Sequence, residues 1–311
     1  MIGSRITAII VTHDSAAVLD KCIKALRQQN AVVIVVDNAS SDDSVAIAEK
    51  NGALVLRNAH NQGFGRAMNV GLSKASTDLV LFINPDLIIA EGALPAFEVA
   101  EKRYPDAALF GAHLIEPGGR VFFPKRSLLS PYLHNEIGKD WKPSGDCCVP
   151  HLSGACLLMR RKQALALGGF DPNIFLFYED DDLSRRVIEA GHSLIYLEHA
   201  LAHHDRGHSS SPQAGRAFKS RWHLAWSKLY VAKKWGLTVP TSGTKIKNTL
   251  KLWLAKLIGR KDKIERYGGT LAGLKAFEEG KTALEQEGLD PVIPPPLNDG
   301  SAATAGHALP H

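Results

Sequence analysis

The segment FLFYEDDDLSRR, residues 175–186, sets four consecutive carboxylates, Glu179 to Asp182, directly after Phe175, Phe177 and Tyr178. Carboxylates this close raise one another's pKa or draw in a cation. The arrangement costs stability unless something uses it. The competing reading is structural, since acids are favourable in a first helical turn and Leu183, Val187 and Ile188 make an apolar stripe beneath them. A second polar set follows hydrophobic runs: Thr12, His13 and Asp14 after ITAIIV, Asp37 and Asn38 after VVIVV, Asn58 after ALVLR, and Asn84, Pro85 and Asp86 after LVLFI. A carboxylate or amide at such a position suits the base or ribose of a nucleotide, and Asp86 suits the divalent cation that bridges its diphosphate. Either Asp37 or Asp86 would also serve as a helix cap or turn residue. In NQGFGRAMNVG, Gly63 and Gly65 beside Arg66 would let backbone approach a phosphate, although the spacing is neither a dinucleotide fingerprint nor a P-loop.

These residues need a scaffold, and the first half of the chain supplies an alternation. RITAIIVT, AVVIVVDN, ALVLRN and DLVLFINPD have strand character, separated by the helical periods of SAAVLDKCIKALRQQ, SSDDSVAIAEKN and GFGRAMNVGLSKAS. Strands alternating with helices predict an α/β fold with a mostly parallel, buried central sheet, whose ligands lie at the carboxyl ends of the strands. From about residue 105 a strand, a Gly-rich turn and a return strand follow. Residues 124–150, rich in Pro, Ser and Lys, read as a long excursion. HLSGACLLMRR resumes a strand, RKQALALGG is a short helix, HSLIYLEHALAHH a strand and AFKSRWHLAWSKLYVAKKW a helix.

The 311 residues carry 45% hydrophobic and 22% charged side chains, ordinary for a globular protein. No apolar run approaches the roughly 18 residues of a membrane span, and the N-terminus lacks a signal-peptide pattern. The four cysteines match neither a zinc spacing nor a disulfide framework, so reduced thiols and a cytoplasmic location are expected. The net charge of +5 conceals a basic block: from Lys219 to Arg266 there are 13 Lys or Arg against Asp262 and Glu265, and the remainder is acidic. Within it, Ile246, Leu250, Trp253, Leu254, Leu257 and Ile258 follow helical spacing, flanked by Lys247, Lys251, Lys256 and Arg260. That pattern fits either a helix on a membrane surface or one docked on the protein's own core. The basic block raises nucleic acid as a partner, but no helix-turn-helix or RNA-binding motif accompanies it, and no nucleic-acid partner is expected.

Taken in order, IIVTHDSAAVLDKCIKAL, VVDNASSDDS, NQGFGRAMNVGL, LFINPDL, SGACLLMRRKQALALGGFDPNIFLFYEDDDLSRRV and HHDRGHSS resemble the motifs of the inverting glycosyltransferases of family 2, in particular the rhamnosyltransferase-like branch of bacterial polysaccharide biosynthesis. The resemblance implies a GT-A fold over 1–235, with a nucleotide-sugar-binding part in 1–115 and an acceptor-binding part in 116–235. A basic helical extension at 236–290 and a disordered tail at 291–311 would follow. It implies Asp180 as catalytic base, with Glu179 and Asp182 on the acceptor side. It implies a donor site built from Thr12, Asp14, Asp37, Asn38, Gly63, Arg66, Asn84, Asp86, Gly154 and Ala155. Asp86 and His204 would hold Mg2+ or Mn2+, with Asn84 standing where the stricter motif has a first Asp. The implied reaction moves a sugar, best matched by L-rhamnose from dTDP-rhamnose, to a growing glycan or a polyprenyl-diphosphate-linked acceptor, with peripheral contact at the inner face of the membrane. A non-catalytic sugar-nucleotide-binding or scaffold protein would retain the same fold, and a two-carboxylate hydrolase would release free sugar.

Overall fold

The computed structural model describes residues 4–123, 127–130, 143–204 and 215–290. The β-branched run Ile6–Thr12 (β1) is buried along its whole length, as a strand covered on both faces must be. The helix Ala16–Gln28 (α1) buries Leu19, Cys22, Ile23 and Leu26 at the i, i+3, i+4, i+7 spacing of one face. Then come Val32–Asp37 (β2), Ser44–Lys50 (α2), Leu54–Arg57 (β3), Phe64–Lys74 (α3) and Leu79–Ile83 (β4). β3, β2, β1 and β4 pair in parallel in that order, as the alternation requires.

The second half departs from the parallel expectation. Leu87–Ile89 (β5), Ala93–Arg103 (α4), Ala107–Glu116 (β6), Arg120–Phe122 (β7), Cys147–Cys148 (β8), Cys156–Arg160 (β9), Arg161–Ala166 (α5), Glu179–Glu189 (α6) and Ser193–His204 (β10) complete the sheet and its cover. The sheet order is β3-β2-β1-β4-β9-β6-β10-β5, with β7 on β6 and β8 on β10. β10 runs parallel to β6, whereas β9 is antiparallel to both β4 and β6, and β5, β7 and β8 are antiparallel to their partners. The sheet is therefore mixed. The cause is topological: β9 starts at the rim where β6 ends, so no crossover helix is required between them. Part of the expected excursion is the short strand β8, and α4 and β5 carry no strong motif in the sequence. Alternate residues of β1 sort to opposite faces: Ile6, Ala8 and Ile10 pack with α1 and α4, while Ile9 and Val11 pack with Met68 and Leu72 of α3 and Leu183 of α6. At Gly71 an added Cβ would lie 2.3 Å from Ile9 Cγ2, so this helix meets the sheet only because the residue has no side chain.

The basic segment resolves into Arg216–Lys234 (α7), Ser242–Leu257 (α8), Lys261–Glu278 (α9) and Ala283–Gln286 (α10). Gly269 and Gly273 let α9 press on the backbone of α7, where a Cβ at either would come within 2.3 Å of Phe218 O or Trp222 O. Thr282 and Glu285 form a capping box that starts α10. Trp226 Nε1 donates to Lys281 O at 2.7 Å, tying this end back to α7. The alternative of an apolar stripe docked on the core is overturned, because on α8 only Ala255 is buried and Ile246, Leu250, Trp253, Leu254 and Leu257 face outward. All four cysteines are free thiols. The expected tail at 291–311 and the Gly-x-Ser part of the late histidine motif lie outside the described residues.

Candidate active site

Register assembles the site. β4 and β9 are antiparallel with Ile83 opposite Cys156, so the residues after β4 meet those before β9. Asn84 N donates to Ala155 O at 2.9 Å, and one residue earlier Gly154 N donates to Asp180 Oδ2 at 2.7 Å. The two-residue stretch Gly154–Ala155 thus touches both the loop that carries Asp86 and the helix start that carries Asp180. The pairing of β5 with β10 sets Leu87 opposite His204, which brings His204 Nε2 to 3.5 Å from Asp86 Oδ1. Both are buried, Asp86 4% and His204 8% exposed, and among the described residues neither Asp86 Oδ1 nor His204 Nδ1 has a hydrogen-bond partner. Buried polar atoms are nearly always satisfied, so an orphaned carboxylate oxygen beside an imidazole fits a divalent cation.

On the neighbouring strands, Thr12 and Asp37 sit opposite each other at the same rim. Thr12 Oγ1 is buried without a partner among the described residues, while Asp37 accepts from Ser40 N at 3.3 Å. Asp14, at φ 54°, accepts from Ser41 N at 2.7 Å and Ser41 Oγ at 3.0 Å. Burial alone would raise Asp14, but these hydrogen bonds outweigh it and hold the carboxyl below its usual range. Asn38 is committed to the scaffold, donating to Gly63 O at 3.0 Å and accepting from Asn58 Nδ2 at 2.8 Å. Arg66 has one buried guanidinium nitrogen, Nη1, without a partner among the described residues, and burial lowers its pKa.

Two expectations change in detail. Gly63 and Gly65 admit the protein's own chain, because a Cβ at Gly63 would lie 2.4 Å from Phe175 O and one at Gly65 2.9 Å from Phe170 Cβ. Gly154 similarly makes room for Asp180, whose Cβ would be 3.0 Å from an added methyl. Phe175, just ahead of the acidic run, is 3% exposed and stacked on His223, ring centroids 4.6 Å apart. With φ of 83° at Gly63 as well, Gly63→Ala should destabilise the fold by about 2 kcal/mol or more, measured by denaturant unfolding.

The acidic run divides by helical geometry. Asp180 and Asp181 are half-buried, meeting Gly154 N and Ser127 Oγ, whereas Asp182 is fully buried and bonded to Arg186 Nε at 2.8 Å, Lys234 Nζ at 2.7 Å and Trp235 Nε1 at 3.0 Å. Asp182 therefore has no open oxygen to offer an acceptor. Glu179 is also buried; burial first and then the Asp180 charge push it well up, and its Oε2 has no partner among the described residues. Burial and Asp180 push Asp181 up to about 6, against the lowering effects of His151 and a hydrogen bond from Ser127. His151 and Ser127 were not singled out in the sequence, although His151 stands three residues before Gly154. Ligand atoms of His151, Asp180 and Asp181 all lie within 4.8 Å of one another, a geometry that could also hold a metal ion. A carboxyl raised in the folded state contributes stability below its ordinary range that is lost as pH rises through its folded value. Asp181→Asn should therefore remove about 1–2 kcal/mol of the stability difference between about pH 5 and pH 8, read from urea unfolding at both. The backbone ahead of α6 is strained, with Phe177 at φ 67° and Tyr178 at φ 68°. Non-glycine residues adopt this region at a cost, and such strain clusters at functional sites.

The model of the glycosyl transferase family 2 matches residues 7–165, just over half the chain. The chain belongs to glycosyl transferase family 2. Among its relatives, this glycosyltransferase is 28% identical over 235 residues to the N-acetylglucosaminyl-diphospho-decaprenol L-rhamnosyltransferase of Mycobacterium tuberculosis, covering 65% of this chain and 76% of that one. It is also 28% identical over 245 residues to the rhamnosyltransferase WbbL of Escherichia coli, covering 73% of this chain and 92% of that protein. The crystal structure of GalNAc-T7 with UDP, GalNAc and Mn2+ shares its fold at a TM-score of 0.55 and 13% identity, covering 88% of this chain and 56% of that one. The GT-A architecture is thus that of a mixed sheet flanked by helices, here with a C-terminal helical extension. This glycosyltransferase is an enzyme that moves a sugar from a nucleotide-sugar donor to an acceptor.

Proposed function

We propose that the enzyme transfers L-rhamnose from dTDP-rhamnose, with inversion, to a hydroxyl of a growing cell-surface glycan carried on a polyprenyl diphosphate at the inner face of the membrane. The reading is supported most by one observation: residues Gly154–Ala155 hydrogen-bond both the Asp86 loop and Asp180, so a cation-binding group and a proton acceptor share one rim. In this mechanism Asp180 takes the proton of the acceptor hydroxyl as its oxygen bonds to the anomeric carbon and the bond to the departing diphosphate breaks. The two fixed hydrogen bonds to Asp180, from Gly154 N and from Asp181 N at 3.0 Å, orient its carboxylate. Asp37 and Asp14 line the donor side, where residues 1–115 bind the nucleotide. Thr12 Oγ1 and Arg66 Nη1, both without partners among the described residues, are available as donor contacts. A Mn2+ or Mg2+ ion held by Asp86 and His204 would neutralise charge on the leaving diphosphate. The rhamnose and polyprenyl elements draw on the names of the two relatives.

The test is a binding screen of dTDP-, UDP- and GDP-sugars with and without Mn2+ or Mg2+, followed by transfer to a lipid-linked acceptor. Tightest binding should be to dTDP-rhamnose, weakened at least about tenfold by chelation, the scale of a lost ligand in a metal site. Preferential binding of a different nucleotide sugar would overturn the donor assignment, and metal-independent binding would overturn that of Asp86 and His204.

A further inference from the structure

Helix α8 presents a face that the other described residues leave exposed. At 100° per residue, Ile246, Leu250, Trp253, Leu254 and Leu257 fall within an arc of about 100°. Ile258, at the C-terminal cap, extends it. Their exposures run from 46% at Leu254 to 72% at Ile246, values at which large apolar side chains seldom cluster without a partner. The opposite side of the helix holds it in place: Ala255 is buried and Lys245 pairs with Glu278 of α9 at 2.6 Å. The stripe is thus not needed for docking α8 on its own protein.

Charge decides what covers it. Lys247 and Lys251 border the stripe on one side and Lys256 on the other, and α8 contains no Asp or Glu. A second copy docking by the same face would bring these like charges together, because a two-fold interface repeats one patch on both partners. An anionic lipid surface accepts both features at once, the apolar arc in the acyl boundary and the cations among phosphate head groups, with the Trp253 ring at the interface. We propose that α8 lies in the plane of an anionic membrane and inserts Ile246, Leu250, Trp253, Leu254 and Leu257 into it. This rests on the peripheral-membrane element of the proposed function and specifies the surface that carries it. A continuous set of contacts links this surface to the chemistry. α8 is braced on α9 and α9 on α7, and α7 holds the approach to Asp180 through Ser227 Oγ to Leu176 O at 2.9 Å and Lys234 to Asp182.

Flotation of the full chain with phosphatidylcholine vesicles, with and without phosphatidylglycerol, tests the proposal. The wild type should float with the anionic vesicles, less so in high salt. Trp253→Ser combined with Leu257→Ser should lower partitioning by at least about tenfold, and Lys247→Gln/Lys251→Gln/Lys256→Gln should erase the preference for phosphatidylglycerol. Thermal melting, dTDP-sugar binding and transfer to a short water-soluble acceptor should stay as in the wild type. Wild-type protein that ignores both vesicle types would overturn membrane attachment itself. A serine variant that floats as well as the wild type would leave attachment standing and remove α8 from it. Dimerisation in sedimentation runs that the serine variant abolishes, without vesicle binding, would assign the face to a second copy.

Discussion

Asp180→Asn should lower kcat by about 10³-fold, within the range that removal of a general base produces, while the dissociation constant of the nucleotide-sugar donor changes little. The substitution is nearly isosteric. The amide oxygen can still accept from Gly154 N, so the contact that seats the first turn of α6 against the turn just before β9 survives. What disappears is the capacity to take a proton. Asp181 supplies the control, since it lies beside Asp180, is pushed up to about 6 by burial and the Asp180 charge, and is held by Ser127 and His151. If Asp180 is the base, Asp181→Asn retains most of the turnover and alters mainly its pH profile. Rapid-quench turnover at saturating donor and acceptor, with donor affinity by calorimetry, separates the outcomes. Full activity of Asp180→Asn together with an inactive Asp181→Asn would move the base by one residue.

The first half was legible because its physics is local. Each strand of β1 to β4 is a run of β-branched or large apolar residues, each intervening helix has a clean apolar face, and a parallel order follows from the alternation. The polar residues at the strand ends could therefore be assigned to one rim before any coordinates. The second half was less legible because pairing there depends on contacts far apart in the chain. Nothing local to CLLMR states that β9 runs antiparallel between β4 and β6, yet that direction is what brings Gly154 and Ala155 to the Asp86 loop. Glycines were misread for a related reason. Gly63, Gly65 and Gly154 suggest close approach, but the approaching groups are Phe175, Phe170 and Asp180 of the same chain. His151 and Ser127 gave little signal, one inside an ordinary strand approach and the other in a Pro- and Ser-rich segment. For α8 the amphipathic pattern left two orientations open, and only packing against α9 decides that the apolar arc faces out.

The acidic run makes its own separation of roles testable, because helical geometry sends adjacent carboxylates to different environments. Asp182→Ala should destabilise the protein by about 3 kcal/mol, the scale of breaking a buried ion pair from one side. Its loss leaves Trp235 Nε1 without an acceptor and deprives Arg186 and Lys234 of a shared anion. Arg186 keeps Leu167 O at 2.8 Å and Gly169 O at 2.7 Å, and Lys234 keeps Asp171 at 2.7 Å, so the cost should stay below that of a fully stranded charge. Denaturant unfolding at neutral pH measures it, with Asp182→Asn as a milder variant that can still accept from Trp235. Asp180→Asn should show the reverse pattern, nearly native stability with little turnover. Two carboxylates two positions apart would then divide cleanly, one holding α6 against α7 and the other facing the acceptor. A stable Asp182→Ala protein with a raised acceptor KM would return Asp182 to the acceptor site and require α6 to turn from the orientation that its buried ion pairs now impose.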